Sequence, residues 1–164
     1  MEKTTYYEIQ KFRQKWLWVL ILSIMSFAVY TMIVEKPVSH FGNNIHLFAE
    51  IACFISLLLV WFARLETKIN EHGIQYRFLP FHFKFHEIKW SEIKKCYVRH
   101  YDPILEYGGW GMRLGLFGKG KAYNTMGDQG LQIELNSGKK ILFGTQTPEE
   151  LERAIGEFFS APVS

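Results

Sequence analysis

The sequence predicts a membrane-anchored α+β protein: an N-terminal transmembrane helical hairpin, then an antiparallel β-barrel or sandwich of about seven strands capped by a C-terminal α-helix. Three observations predict it. Two stretches, Trp16–Val34 and Ile45–Ala63, hold 32 of the chain's 79 hydrophobic residues in 38 of its 164 positions. From Arg64 onward, short runs alternate apolar and polar residues between Gly, Pro, Asn and Asp punctuation. The chain then closes on an amphipathic run opened by Thr147-Pro148. A mean hydropathy of −0.04 therefore averages two different surfaces.

The totals exclude several classes. A 48% hydrophobic content with 16% aromatics excludes a disordered chain, and 164 residues are too few for a multi-domain enzyme. Two cysteines, Cys53 inside an apolar run and Cys96 far from it, form no disulfide framework and read as packing residues. The part from Arg64 to Ser164 carries 14 Lys/Arg against 12 Asp/Glu, too balanced for a nucleic-acid binder.

Residues 1–15 read as a flank, 16–63 as the hairpin and 64–164 as one polar-surfaced domain. Each apolar stretch has 19 residues, which at about 1.5 Å per residue approaches the roughly 30 Å hydrocarbon core. Trp16, Trp18 and Trp61 mark one interface, and Glu35–Asn44 suits a tight reversal. The first run is too long for a signal peptide, and no small-residue cleavage site follows Val34. Lys11, Arg13 and Lys15 before the first span and Arg64 and Lys68 after the second outweigh Lys36 between them. That asymmetry places both termini of a multi-pass protein in the cytoplasm.

Four polar residues of the hairpin draw notice. Glu50 is ionisable within a span, and His46 lies one turn earlier on its face. Tyr30 and Thr31 occupy the matching depth on the first span. Two readings stand: an interhelical hydrogen bond that locks the hairpin, and a proton or cation site in an oligomeric path. Ala49, Ala52, Cys53 and Ser56 form a small-residue face suited to close helix packing against the first span or another protomer.

In the C-terminal part, Leu65–Asn70 and Ile74–Leu79 read as strands around the turn Glu71-His72-Gly73. Phe81, Phe83 and Phe85 alternate with His82, Lys84 and His86 as a third strand after Pro80. Trp90–Ile93 leads into a strand over Lys94–Tyr101, and Asp102-Pro103 marks a turn. Trp110–Leu116 and Lys121–Thr125 read as a hairpin around a Gly-rich loop. Leu131–Leu135 and Lys140–Phe143 flank the turn Asn136-Ser137-Gly138. For the final helix, Thr147 is the N-cap, Pro148 the first residue and Glu150 the partner in a capping box; Leu151, Ala154, Ile155, Phe158 and Phe159 share its apolar face.

Three runs carry a family resemblance: Ile88-Lys89-Trp90-Ser91-Glu92-Ile93, Tyr107-Gly108-Gly109-Trp110-Gly111-Met112-Arg113, and Gly144-Thr145-Gln146-Thr147-Pro148-Glu149-Glu150-Leu151. Their order and spacing over roughly Glu66–Phe159 resemble the bacterial PH-like domain of uncharacterised small membrane proteins with two N-terminal transmembrane helices. The resemblance implies two packed antiparallel sheets closed by a helix, and implies no activity. The first turn, with only Lys68 and Arg77 on its flanks, departs from the basic cluster that phosphoinositide-binding PH domains use.

Few motifs carry chemistry. Gly115–Ala122 nearly spells a P-loop, but Ala122 replaces the Mg²⁺-binding hydroxyl residue and a strand follows instead of a helix. Within and beside that loop, Trp110 and Phe117 interleave with Arg113, Lys119 and Lys121, a composition suited to an anionic membrane surface or a protein partner. His82 and His86 share a strand face, with His100 the nearest third ligand, short of a metal set. His86-Glu87 starts an HExxH-like run that Trp90 breaks, and no nucleophile motif is present. The expectation is a binding or scaffolding module, not an enzyme. It would recognise a protein partner or the bilayer, without cofactor or nucleic acid, and could form a homo-oligomer. The alternative is an oligomeric channel or transport accessory built on Glu50, and a metal-dependent enzyme is a third reading.

Overall fold

The computed structural model of the chain describes the backbone of residues 4–34, 40–115 and 118–159, and the side chains of these except 4, 32, 40–47, 49 and 50. In chain order the elements are β1 (Thr4–Lys11), α1 (Lys15–Val34), α2 (His40–Phe62), β2 (Arg64–Asn70), β3 (Gly73–Leu79) and β4 (His86–Lys89). A 3₁₀ turn at Trp90–Glu92 leads to β5 (Ile93–His100), α3 (Pro103–Tyr107), β6 (Gly111–Leu114), β7 (Lys121–Asn124), β8 (Gln129–Leu135), β9 (Lys140–Gly144) and α4 (Pro148–Phe158). β1 joins the residues from β2 to α4 in one compact unit, and Phe12–Ala63 forms the other.

The two-helix unit corrects the expected membrane hairpin. Among the described residues, no helix is long and apolar enough to cross a membrane. In α2 the first eleven residues include His40, Asn43, Asn44, His46 and Glu50. That leaves Ile51–Phe62, which at about 1.5 Å per residue covers only ~18 Å of a ~30 Å hydrocarbon core. In α1 the apolar residues are divided by Ser23, Ser26, Tyr30 and Thr31. Transmembrane spans over 16–34 and 45–63, a multi-pass topology, and placement in a bacterial inner membrane with cytoplasmic termini are therefore not supported. Trp18 and Trp61 meet edge to face at 5.5 Å, which sets the start of α1 beside the end of α2. Ala52, Cys53 and Ser56 line a groove of about 350 Å³ with Leu17, Ile21 and Met25 of α1. The Thr31 hydroxyl donates to the Ala28 carbonyl oxygen at 2.8 Å, so it is used within its own helix. Tyr30 is exposed. Ala49, Glu50 and His46 fall within α2, and their side chains lie outside the described residues.

The other unit replaces the expected seven-stranded PH-like barrel. It has nine strands among the described residues, in sheets ordered β1-β2-β3-β4 and β5-β8-β9-β7-β6. The first sheet is antiparallel throughout. The second is mixed, because β9 pairs in parallel with β7 and antiparallel with β8. β1 is the principal departure. Its residues were expected as a flank, yet Tyr6–Lys11 pair in register with Ile69–Arg64. The pattern explains the omission, since Lys11 and Gln10 end a run with weak alternation. Gln10 is nonetheless buried, donating to the Gly144 carbonyl and accepting from Thr125 Oγ1.

Leu65, Ile69, Ile74 and Phe78 of the first sheet and Leu131, Ile133 and Phe143 of the second are buried, as are Leu151, Ala154 and Ile155 of α4. α4 thus buries the apolar stripe its spacing predicts. Trp90 stacks 6.0 Å from both Phe158 and Phe159 and anchors the helix end. The helix start differs from expectation. Thr147 makes no capping hydrogen bond, and its hydroxyl pairs at 2.8 Å with Tyr6 Oη. Tertiary contact with β1 has taken the group that a local capping box would use.

Two further readings are corrected. Phe81–Phe85 forms no strand, and Phe81 and Phe83 are 57% and 76% exposed. Pro80 lacks a ladder N–H, and His82 N closes a turn on the Phe78 carbonyl at 2.8 Å. Asp102-Pro103 opens a helix instead of a simple turn: Asp102 Oδ1 accepts from the backbone N–H of Ile104 and Leu105 at 2.9 and 2.8 Å. α3 lays Tyr107 against Tyr101, Ala122 and Leu142 on the outer side of the second sheet.

Candidate functional site

A candidate site is a cavity of about 720 Å³ between β3, the β6–β7 hairpin and the β8–β9 hairpin. Its floor is aromatic. Tyr76 and Tyr123 lie 5.1 Å apart, and Phe143 sits 4.6 Å from Tyr76 and 5.6 Å from Tyr123. Burial pushes the Tyr76 hydroxyl well above its ordinary pKa, with Tyr123 adding to the effect, so it stays neutral. The rim carries Lys121 from β7 and the pair Lys139-Lys140 that follows the hairpin turn, with Leu114 and Ile141 between them. Gly120 makes this closeness possible. Its φ is +85°, and a Cβ there would stand 2.0 Å from the Lys140 carbonyl oxygen.

His82 and His86 border this floor, with rings 4.7 Å apart. Burial holds the His82 imidazole below its ordinary pKa, and the charges of His86 and Lys121 act in the same direction. Among the described residues, His82 Nδ1 is buried without a hydrogen-bond partner. His100 does not join the pair: its Nδ1 lies 3.7 Å from Asp128 Oδ2. Among the described residues no group of three or more His, Cys, Asp or Glu side chains could hold a metal ion. Burial alone pushes the Cys96 thiol up to about 12, which makes it a poor nucleophile.

The sequence-predicted surface residues are dispersed. Trp110 Nε1 donates to the Gly127 carbonyl at 3.0 Å, and Arg113 Nε donates to the Trp110 carbonyl at 3.0 Å, so these two form one local group. Lys119 pairs with Glu106 at 3.4 Å, on the α3 side. Lys121 faces the cavity. Phe117 lies outside the described residues. The loop residues therefore do not converge on one patch.

A second charged centre lies under α3. Arg99 grips Glu106 through two nitrogens at 3.0 and 2.8 Å and donates to Gln132 Oε1 at 3.2 and 3.1 Å. Hydrogen bonding from Arg99 lowers the Glu106 carboxyl to about 2, against an opposing push from burial, with the Asp102 N–H and Lys119 assisting. A third lies on the first sheet, where buried Glu66 accepts from Arg77 at 2.8 Å and from Tyr7 at 2.9 Å and forms an ion pair with Arg64 Nε at 2.9 Å. Burial raises the Glu66 carboxyl, but these partners outweigh it and the net shift is downward. Both centres are ion pairs and read as structural.

Sequence reasoning missed Tyr76, Tyr123, Lys139 and Lys140. The adjacent lysines after Asn136-Ser137-Gly138 were the visible signal, since a hairpin turn projects both flanks toward whatever its sheet faces.

No protein-family model matches the sequence, and no curated protein matches it. The expected membership among small bacterial membrane proteins with a PH-like domain is therefore corrected: the chain has no family match, begins with a strand, and holds no membrane-crossing helix among its described residues.

Proposed function

We propose that the two-sheet unit is a binding module that takes up an extended segment of a partner protein along β6. One observation carries this reading. β6 ends the second sheet, paired only with β7 among the described residues, and presents Met112 and Leu114 44% and 73% exposed on the same face. An edge strand offers a row of backbone N–H and C=O groups to an incoming strand. Side chains two residues apart give that addition its specificity. The incoming segment would carry apolar residues at alternate positions to pair with Met112 and Leu114. Among the described residues, no ion pair or metal set favours a catalytic reading over this one.

The test selects ligands for the whole protein from a random peptide library and maps them by hydrogen exchange. The expected result is peptides with alternating apolar positions that protect β6 amides. Met112→Glu and Leu114→Glu, both at exposed positions, should weaken them by about tenfold or more. Selected peptides that protect the β1, β4 or β5 edge instead, or that bind both variants unchanged, refute the reading.

A further inference from the structure

We propose that the cavity between β3, β7 and the β8–β9 hairpin binds a small aromatic anion, a planar ring bearing a carboxylate or phosphate group. The volume, about 720 Å³, falls within the range of roughly 300 to 1,000 Å³ found for small-molecule sites. The lining divides by chemistry into two parts that match the two halves of such a ligand.

The apolar half is the floor of tyrosines. Tyr76 and Tyr123 are tilted 45° to one another, and Tyr123 lies nearly parallel to Phe143 at 15°. His82 extends the cluster, 5.7 Å from Tyr123. Aromatic rings pack on each other in offset and tilted geometries, so the cluster offers an added ring a matching surface. The Tyr76 hydroxyl remains neutral there, and burial lowers the His82 pKa, which disfavours added positive charge.

The charged half is the rim. Lys121, Lys139 and Lys140 line one mouth. Only Lys140 has a carboxylate nearby, Glu134 at 3.7 Å. Lys121 and Lys139 have no ion pair among the described residues, which leaves a local excess of two positive charges. That excess stands out in a unit, Met1–Lys11 with Arg64–Ser164, whose lysines and arginines exceed its acids by two over 112 residues. The field of Lys121 already reaches the floor, since it contributes to the His82 shift. Lysines act on carboxylate or phosphate as mobile point charges. Gly118, Gly120 and Gly138 line the same space and add no side chains to it.

This site adjoins the strand-addition surface at Leu114, but its charged residues are not on β6, so the lysine variants test it independently. The test uses the ¹⁵N-labelled full chain titrated with phenyl phosphate, benzoate, inorganic phosphate and benzylamine, with amide shifts as the readout. Phenyl phosphate, benzoate or both should shift Gly120, Lys121 and Gly138–Ile141, and the tighter of the two identifies the anionic group. Benzylamine should leave these amides unmoved, and inorganic phosphate should bind at least tenfold more weakly than phenyl phosphate. Lys121→Gln and Lys139→Gln, both at exposed positions, should each weaken binding by about tenfold. Equal shifts with benzylamine overturn the charge argument. Equal affinity for inorganic phosphate overturns the aromatic argument. Absence of shifts at these amides, or unchanged binding in the double lysine variant, overturns the site.

Discussion

Glu106→Gln tests how much the Arg99–Glu106 pair contributes. The Glu106 side chain is 18% exposed and Arg99 22%, so the pair is only partly screened by solvent. A carboxyl displaced from an ordinary 4.5 to about 2 carries up to ~3 kcal/mol of pH-dependent stability. The folded value is the lower one. The contribution is therefore complete above pH 4.5 and is lost as pH falls toward 2. In the variant, Arg99 keeps Gln132 Oε1 as an acceptor. Its charge is not left bare, which sets the expected loss at neutral pH near ~2 kcal/mol instead of the ~3–5 kcal/mol of an orphaned buried charge. Native-state hydrogen exchange at the β8 amides of Leu131 and Ile133 reads the opening free energy of this unit alone. The wild type should lose stability between pH 4.5 and 2 more steeply than the variant, and the two should converge near pH 2. Parallel pH curves, or a loss below ~0.5 kcal/mol at pH 7, refute the reasoning and make the pair equivalent to a surface ion pair.

Other outcomes follow from single contacts. Gly120→Ala should destabilise the unit by about 1–3 kcal/mol in chemical denaturation, because it combines a positive φ with a Cβ set against the Lys140 carbonyl. Asn124→Ala should cost about 1–3 kcal/mol and raise exchange at Gly111, since Asn124 joins the buried Tyr101 hydroxyl to the Gly111 N–H. Tyr6→Phe and Thr147→Ala should show a coupling of about 0.5–1 kcal/mol in a double-mutant cycle, the signature of one shared hydrogen bond. Leu142→Ala should cost about 2–5 kcal/mol by melting temperature, as this side chain is wholly buried beside Tyr101, Tyr107 and Ala122.

Local chemistry was legible wherever it decided the outcome. Asn136-Ser137-Gly138 sits between β8 and β9, and Gly138 takes the left-handed φ of +80° that such a turn requires. The spacing of Leu151, Ala154 and Ile155 matches their burial in α4. Legibility failed where a distant partner decided. The phenylalanine alternation at 81–85 has the period of a strand, but Phe85 is occupied by the Lys68 and Arg77 cations at 4.3 and 4.4 Å, and Phe81 and Phe83 face solvent. For the lysines of the cavity, Lys121 was read with its loop neighbours, yet Lys119 two residues away pairs with Glu106 on the α3 side. Lys119 lies in the loop before β7 begins at Lys121, so no strand alternation sets its direction and adjacency in sequence did not keep the two lysines together.

By itself, the sequence determined a helical hairpin region, a strand-rich C-terminal part, most strand positions from β2 to β9 and the closing helix, because periodicity and turn residues are local properties. Only the tertiary structure decided that Thr4–Lys11 is a strand, that β9 runs parallel to β7, and that Lys121, Lys139 and Lys140 share a mouth over Tyr76 and Tyr123. Each of these depends on backbone or side-chain groups far apart in the chain satisfying one another. Such pairings leave no mark in the spacing of any one segment.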